Sequence, residues 1–147
     1  MVEEEVNVDV EIKSPASKFH MFIGRLQHLP KATRYVQGCD LLEGNWGKTC
    51  FGLDGEARLS KDRIEAIDFE KKVIQWRVLE GPLKTQYNSI LKTMKLSPNQ
   101  GGPGSMVVNW NVKYERIDHE KVAHPERLLQ FLVEVTKEVD GYLLSEE

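Results

Sequence analysis

The fold is decided by residues 106–144, MVVNWNVKYERIDHEKVAHPERLLQFLVEVTKEVDGYLL, where a strand pattern is followed by a helix pattern. In the first part apolar and polar residues alternate, and this period of two predicts a strand with one buried face. From Pro125 onward apolar residues recur at helical spacing and predict one long helix. Its apolar stripe contains Leu128, Phe131, Leu132, Val135, Val139 and Tyr142. We expect this helix to cover the apolar face of a curved sheet.

The residues before this stretch predict the rest of the sheet. Val6 to Ile12 alternate with polar residues as in a half-buried strand, which ends at Ser14-Pro15. We interpret Ser14 as a helix N-cap and Pro15 as the first helical residue, so that two small helices follow. Short apolar runs separated by turns then predict an antiparallel meander of about six strands. The runs are Val36–Leu42, Phe51–Leu53, Ile64–Ile67, Val73–Leu79, Tyr87–Leu96 and Met106–Ile117. The predicted class is α+β.

Composition narrows the functional classes. The chain has 147 residues, which suits a single domain over residues 1–147. Its formal net charge of -3 argues against a nucleic-acid-binding protein, because phosphate contacts normally require a basic excess. No window approaches the ~18 uncharged apolar residues of a membrane span, and the acidic start does not resemble a signal peptide. We therefore expect a cytoplasmic protein, with Cys39 and Cys50 as free thiols.

Motifs for metals, nucleotides and nucleophilic catalysis are weak. His20, His28, His119 and His124 have no metal-ligand spacing, and we interpret them as surface or capping residues. Residues 44–49, GNWGKT, resemble the tail of a P-loop but lack its first glycine and lead into a strand pattern. Neither a paired-carboxylate site nor a Ser/His/Asp motif can be assigned. We predict no metal and no cofactor.

The inward faces of the predicted strands are rich in large amphipathic residues. Trp76 lies on one inward face with Ile74 and Val78, and Trp110 and Tyr114 lie on another. Such a sheet can pack solid or leave a cavity, and pattern alone does not choose between them. An empty apolar cavity of ~300 Å³ would cost about 7 kcal/mol, so a cavity would hold water or a ligand.

Lys92 is the one charged residue on an apolar face, where it shares the parity of Ile90, Met94 and Leu96. An amine held inside could act as a base, form a Schiff base or anchor an acidic ligand. Alternatively, a bulge shifts the strand, or the long side chain carries the amine out to solvent.

Several segments resemble the plant major latex protein-like family, a branch of the Bet v 1 (pathogenesis-related, START-like) superfamily. They are VQGCDLLEGNWG at residues 36–47, RIEAID at 63–68, WRVLEG at 76–81, Tyr114-Glu115, and the closing stretch from His124 to Leu144. The resemblance covers essentially the whole chain. It implies a helix-grip fold with a curved seven-stranded antiparallel sheet around a long C-terminal helix, and two short helices near the N-terminus.

The resemblance also implies a function. Bet v 1-like proteins generally enclose an apolar chamber and bind amphipathic plant molecules such as sterol-like hormones, cytokinins, flavonoids and fatty acids. Major latex-like members are associated with defence and stress responses. Other members of the superfamily are enzymes that cyclise or isomerise alkaloid or terpenoid intermediates. Ribonuclease activity has also been attributed to the superfamily, but no paired acid and base for RNA cleavage can be assigned in this sequence.

Three departures from the family pattern stand out. The chain is about half a dozen residues shorter between Gly47 and Gly55, which predicts a gap in the wall near Phe51 or altered strand pairing. Asn45 stands where an aspartate is expected. Lys92 stands where an apolar residue is expected, so the pocket of this member would differ in polarity.

Together these observations predict a carrier or sensor that binds a small hydrophobic or amphipathic metabolite between the sheet and the last helix. The alternative is a cavity enzyme in which Lys92 and Tyr114 transfer protons. The predicted ligand-binding residues are Phe51, Trp76, Val78, Lys92, Met94, Val108, Trp110, Tyr114, Leu128, Phe131, Leu132, Val135 and Val139.

Overall fold

The computed structural model describes residues 3–24, 29–33, 36–42, 46–51, 58–99 and 105–145; for residues 29–30, 36–42, 46–51 and 58–60 it describes the backbone. The strands are β1 (Glu4–Ile12), β2 (Val36–Leu42), β3 (Trp46–Phe51), β4 (Arg58–Asp68), β5 (Val73–Glu80), β6 (Tyr87–Pro98) and β7 (Met106–Arg116). The helices are α1 (Ala16–Ile23), α2 (Leu29–Ala32) and α3 (Glu126–Ser145), with a 3-10 turn at Pro82–Thr85.

Within these residues, seven strands form one antiparallel sheet in the order β1-β7-β6-β5-β4-β3-β2. Each strand from β2 to β7 pairs with the next one along the chain, as expected for a meander with short connections. The N-terminal strand β1 returns to pair with β7, with Glu4 opposite Tyr114 and Ile12 opposite Met106. The curved antiparallel sheet and the long C-terminal helix are confirmed.

The apolar core lies on the inward face of the sheet, under α1 and α3. Ile12, Phe19, Ile74, Ile90 and Val139 are all completely buried in one cluster. The inward parities predicted for β5, β6 and β7 are therefore confirmed. No helix in the described part of the chain has the length and apolar character needed to cross a membrane.

Strands β3 and β4 begin earlier than the sequence predicted, at Trp46 and Arg58 instead of Phe51 and Ile64. The strand expected at Phe51–Leu53 is wrong, because Phe51 is the last residue of β3, which begins at Trp46. Trp46 therefore opens a strand and pairs with Leu42 of β2. Residues 43–45 and 52–57, which include Asn45, lie outside the described residues. Because residues 46–51 form a strand, the P-loop-like segment does not lead into a helix.

The gap predicted in the wall near Phe51 is absent from the described backbone. Phe51 pairs with Val36 on one side and with Arg58 on the other. The strand β3 thus keeps both of its neighbours over its whole length, although its register against β2 shifts between Val36 and Gly38. The side chains of Phe51, Cys39 and Cys50 lie outside the described residues.

The N-cap predicted at Ser14 is also wrong. The N-cap of α1 is Pro15, with no side-chain capping bond. The buried Ser14 hydroxyl donates instead to Asp140 Oδ1 of α3 at 2.6 Å, and the Ser14 backbone N–H donates to the same oxygen at 2.8 Å. A hydrogen bond to a charged carboxylate is stronger than one between neutral groups. The bond from Ser14 to Asp140 therefore replaces a local cap between Ser14 and the backbone of α1.

Candidate ligand-binding site

Most of the predicted ligand-binding residues converge on one buried cluster between the sheet and α3. Phe131 is partly buried and packs against this cluster, whereas the side chain of Phe51 lies outside the described residues. The buried members are Trp76, Val78, Met94, Val108, Trp110, Tyr114, Leu128, Leu132, Val135 and Val139. The residues predicted to face inward from the strands and those of the apolar stripe of α3 therefore lie in the same buried cluster.

Two tryptophans form the centre of this interior. The rings of Trp76 on β5 and Trp110 on β7 are stacked, with centroids 5.5 Å apart and planes 26° apart. The Trp110 Nε1–H donates to the Thr136 hydroxyl of α3 at 2.8 Å. Thr136 is completely buried, and its hydroxyl donates in turn to the Leu132 carbonyl at 2.7 Å. This polar link between sheet and helix was missed at the sequence level, where its signal was a hydroxyl beside Val135 in the apolar stripe.

Trp76 differs from Trp110 in its polar contacts. Trp76 is only 3% exposed. Among the described residues, no acceptor lies within hydrogen-bonding distance of its Nε1–H. Buried N–H groups in native proteins are nearly always bonded, and leaving one unbonded costs about 1–3 kcal/mol. The indole of Trp76 therefore presents an unused donor inside the protein.

Lys92 lies inside the sheet, as its parity predicted, and it is held by a partner that the sequence did not reveal. Its Nζ donates to Asp62 Oδ2 at 3.0 Å, and the two side chains are only 13% and 8% exposed. The pairing of β6 with β5 runs without a shift through Lys92, which stands opposite Trp76. The Lys92 Nζ is 6.0 Å from the centroid of the Trp76 ring.

Asp62 contradicts the expectation that Lys92 is the one charged residue on an inward face. It is 6% exposed and stands opposite Val78, on the inward side of β4. The register of β4 against β5 shifts between Lys61 and Asp62, and again between Ile64 and Ala66. Neither shift lies between Asp62 and Ile64, so Asp62 shares the inward parity of Ile64. It was missed because the predicted strand, Ile64–Ile67, begins after Asp62, whereas β4 begins at Arg58.

The Tyr114 hydroxyl, predicted to bind a polar group of the ligand, already has a protein partner. It hydrogen-bonds to Nδ1 of His124, just before α3. Tyr87 meets the Tyr114 ring edge-on at 5.8 Å and donates its hydroxyl to the Ala123 carbonyl at 2.6 Å. Burial raises the pKa of both tyrosines, so both hydroxyls stay protonated near neutral pH. Together they fasten the segment that leads into α3.

His20 is not the surface or capping residue that the sequence predicted. It is 1% exposed, because the last turn of α1 rests on β5, and its Nε2–H donates to the Val73 carbonyl at 3.3 Å. Burial is the main cause that lowers the pKa of its imidazole; Lys72 lowers it further, whereas the Val73 bond and Asp68 raise it. His119 and His124 are exposed, as expected, and His28 lies outside the described residues.

Over residues 3–24, 29–33, 36–42, 46–51, 58–99 and 105–145, no three His, Cys, Asp or Glu residues are grouped so that they could hold a metal ion. Within the described residues, the interior offers apolar contact, the unbonded indole N–H of Trp76, the unbonded Nδ1 of the buried His20, and the ion pair of Lys92 with Asp62.

Comparison with known proteins places the sequence in a family. A profile of the pathogenesis-related protein Bet v 1 family matches residues 1–146. The chain belongs to the Bet v 1 family. Within it, the chain is similar to MLP-like protein 165 of Arabidopsis thaliana, with 66% identity and 100% of both chains covered. It is also 66% identical to MLP-like protein 168 of the same plant, with 99% of both chains covered.

Solved structures of Bet v 1 family members agree with the fold. The crystal structure of major latex-like protein 151 from Panax ginseng gives a TM-score of 0.88 at 31% identity, over 97% of this chain and 98% of that one. The solution structure of an Arabidopsis thaliana member of the major latex protein family gives 0.70 at 45% identity, over 99% of this chain and 96% of that one.

The alignment with an Arabidopsis relative contains positions at which this Bet v 1 family member has no residue. The alignment with MLP-like protein 165 extends over 154 positions, seven more than the 147 residues of the chain. That difference has the size of the shortening predicted between Gly47 and Gly55. Its position in the chain remains a prediction.

Proposed function

We propose that this protein binds a small hydrophobic or amphipathic plant metabolite between the inward face of the sheet and α3. It would act as a cytoplasmic carrier or sensor in a defence or stress response. The observation that carries this proposal is the composition of the interior, where an apolar wall surrounds a few buried polar groups. Sites for small molecules typically combine these two features.

The stacked indoles of Trp76 and Trp110 supply a large flat surface for such a ligand. Phe131 on α3 is partly buried against the same cluster, so it would face the ligand from the helix side. The family assignment supports the proposal, because the Bet v 1 and START-like folds are known for hydrophobic ligands. The name of the family, pathogenesis-related, supports the link to defence.

The proposal is tested by native mass spectrometry after incubation of the protein with a crude plant metabolite extract. We expect one discrete added mass of the size of a small metabolite. Phe131→Glu should abolish it, because a carboxylate would have to be buried against the apolar wall. Leu144→Glu is the matched control on the same helix, since Leu144 is 38% exposed. No adduct in the natural protein, or an unchanged adduct in a folded Phe131→Glu variant, would contradict the proposal.

The alternative function, a cavity enzyme for cyclisation or isomerisation, would use Lys92 and Tyr114. Each of these groups already has a protein partner, Asp62 or His124. The raised pKa of Tyr114 also makes its phenolate scarce at neutral pH. We therefore favour binding without chemistry. The same spectra discriminate the two functions, because an enzyme would produce a new mass that grows with time and disappears in Lys92→Met.

A further inference from the structure

The two stacked indoles are similar in burial and opposite in their polar contacts. Trp76 and Trp110 are each 3% exposed. The Trp110 donor is used by Thr136, which fastens α3 to the sheet. The Trp76 donor has no acceptor among the described residues. The N–H of Trp110 is thus used within the fold, whereas the N–H of Trp76 is available to a ligand.

The charge around Trp76 is already balanced. The ammonium of Lys92 stands 6.0 Å from the Trp76 ring centroid and 3.0 Å from the Asp62 carboxylate. The two opposite charges cancel, so this nearly buried pair itself adds no net charge to the described part of the interior. A ligand carboxylate beside it would place a third, uncompensated charge in a dry site, which is strongly unfavourable. A neutral acceptor avoids this cost.

We propose that the Nε1–H of Trp76 binds a neutral acceptor oxygen of the ligand, of the carbonyl class. This inference rests on the proposed function and specifies the chemistry of its ligand. Trp76 would orient the molecule through one hydrogen bond while its ring and that of Trp110 contact the apolar body. The Asp62–Lys92 pair would select against acidic ligands.

Three matched probes separate the inference from the function it rests on. Benzophenone carries a carbonyl group. The diphenylethylene used is the 1,1 isomer, which has the shape of benzophenone with a CH2 group in place of the oxygen. Diphenylacetate carries a carboxylate. Affinities for the natural protein are measured by isothermal titration calorimetry. We expect benzophenone to bind about tenfold tighter than diphenylethylene, because it satisfies a buried donor. Diphenylacetate should bind more weakly than benzophenone.

The variants Trp76→Phe and Trp110→Phe form a matched pair, since each removes one N–H from one stacked ring. Trp76→Phe should abolish the preference, so that benzophenone and diphenylethylene bind this variant equally well. Trp110→Phe should keep the preference, because its N–H already has an acceptor. The indole N–H resonance of Trp76 in the natural protein provides a test that needs no variant. It should shift with benzophenone and not with diphenylethylene.

The outcomes are distinguishable. Equal binding of benzophenone and diphenylethylene, or a preference that survives in Trp76→Phe, overturns the inference and leaves the proposed function standing. Equal binding would mean that an ordinary buried water satisfies the indole. Failure of all three probes to bind contradicts the proposed function itself.

Discussion

The indole N–H of Trp110 and the hydroxyl of Thr136 form a 2.8 Å hydrogen bond that joins β7 to α3 inside the core. The Thr136 hydroxyl in turn donates a hydrogen bond to the Leu132 carbonyl one turn earlier in the helix. Both groups are buried, so water cannot replace either partner. This bond therefore helps to determine how the long helix lies against the sheet.

Replacing Thr136 with valine should lower the free energy of unfolding by about 1–3 kcal/mol, because the buried Trp110 donor loses its acceptor. Urea denaturation measures the effect. In the double variant Thr136→Val/Trp110→Phe, the loss of stability should be smaller than the sum of the losses in the two single variants, since the second change removes the orphaned donor. Strictly additive losses would show that the bond does not couple the two residues.

Asp140 should be important for stability although it lies near the end of the chain. Its carboxylate accepts bonds from the backbone N–H groups of Lys13 and Ser14 and from the Ser14 hydroxyl. Asp140→Asn should reduce the free energy of unfolding by about 2 kcal/mol, because the acceptor loses its charge. Ser14→Ala removes only one of these bonds and should cost less. An equal or larger loss in Ser14→Ala would contradict this ranking.

The buried ion pair should be costly to break from one side. Lys92→Met leaves the Asp62 carboxylate without its ammonium partner and should destabilise the protein by about 3 kcal/mol. Lys95→Met is the matched control, because Lys95 is exposed on the opposite face of the same strand. The double variant Lys92→Met/Asp62→Leu should regain most of the lost stability. A Lys92→Met variant as stable as Lys95→Met would contradict this prediction.

Stability should fall as the pH falls below about 6.5, because of His20. Burial lowers the pKa of His20 in the folded state, so the unfolded chain binds the proton more readily. The stability that neutral His20 contributes is complete above the pKa of His20 in the unfolded chain. It is lost as the pH falls through the pKa of His20 in the folded state. The lowered pKa values of Glu4, Glu65 and Asp68 act in a separate window, below about pH 4.5.

Urea midpoints at about pH 7.5 and about pH 5.5 measure this dependence. In His20→Gln the drop between them should be smaller, because the amide can still donate to Val73 but does not titrate. His119→Gln, a change at an exposed histidine, should behave like the natural protein. Identical drops in all three proteins would exclude His20 as the cause.

Local patterning explains which parts of the fold could be predicted. Alternation identified the inward faces of β5, β6 and β7, including the unusual position of Lys92, because side-chain direction in a regular strand depends only on parity. It missed Asp62 in β4, because the predicted strand began at Ile64 and the polar residues before it carried no strand signal, whereas β4 begins at Arg58. It also failed at Ser14, whose local capping signal was overridden by Asp140 of α3.

The sequence by itself determined the family, the element order and the apolar wall, because hydrophobic periodicity and motif content are properties of neighbouring residues. Only the tertiary structure decided the polar content of the interior. Asp62 and Lys92 are 30 residues apart, and Trp110 and Thr136 are 26 apart. Hydrogen bonds require contact within about 3 Å, and strand register and helix docking, not sequence spacing, decide which distant groups reach that contact.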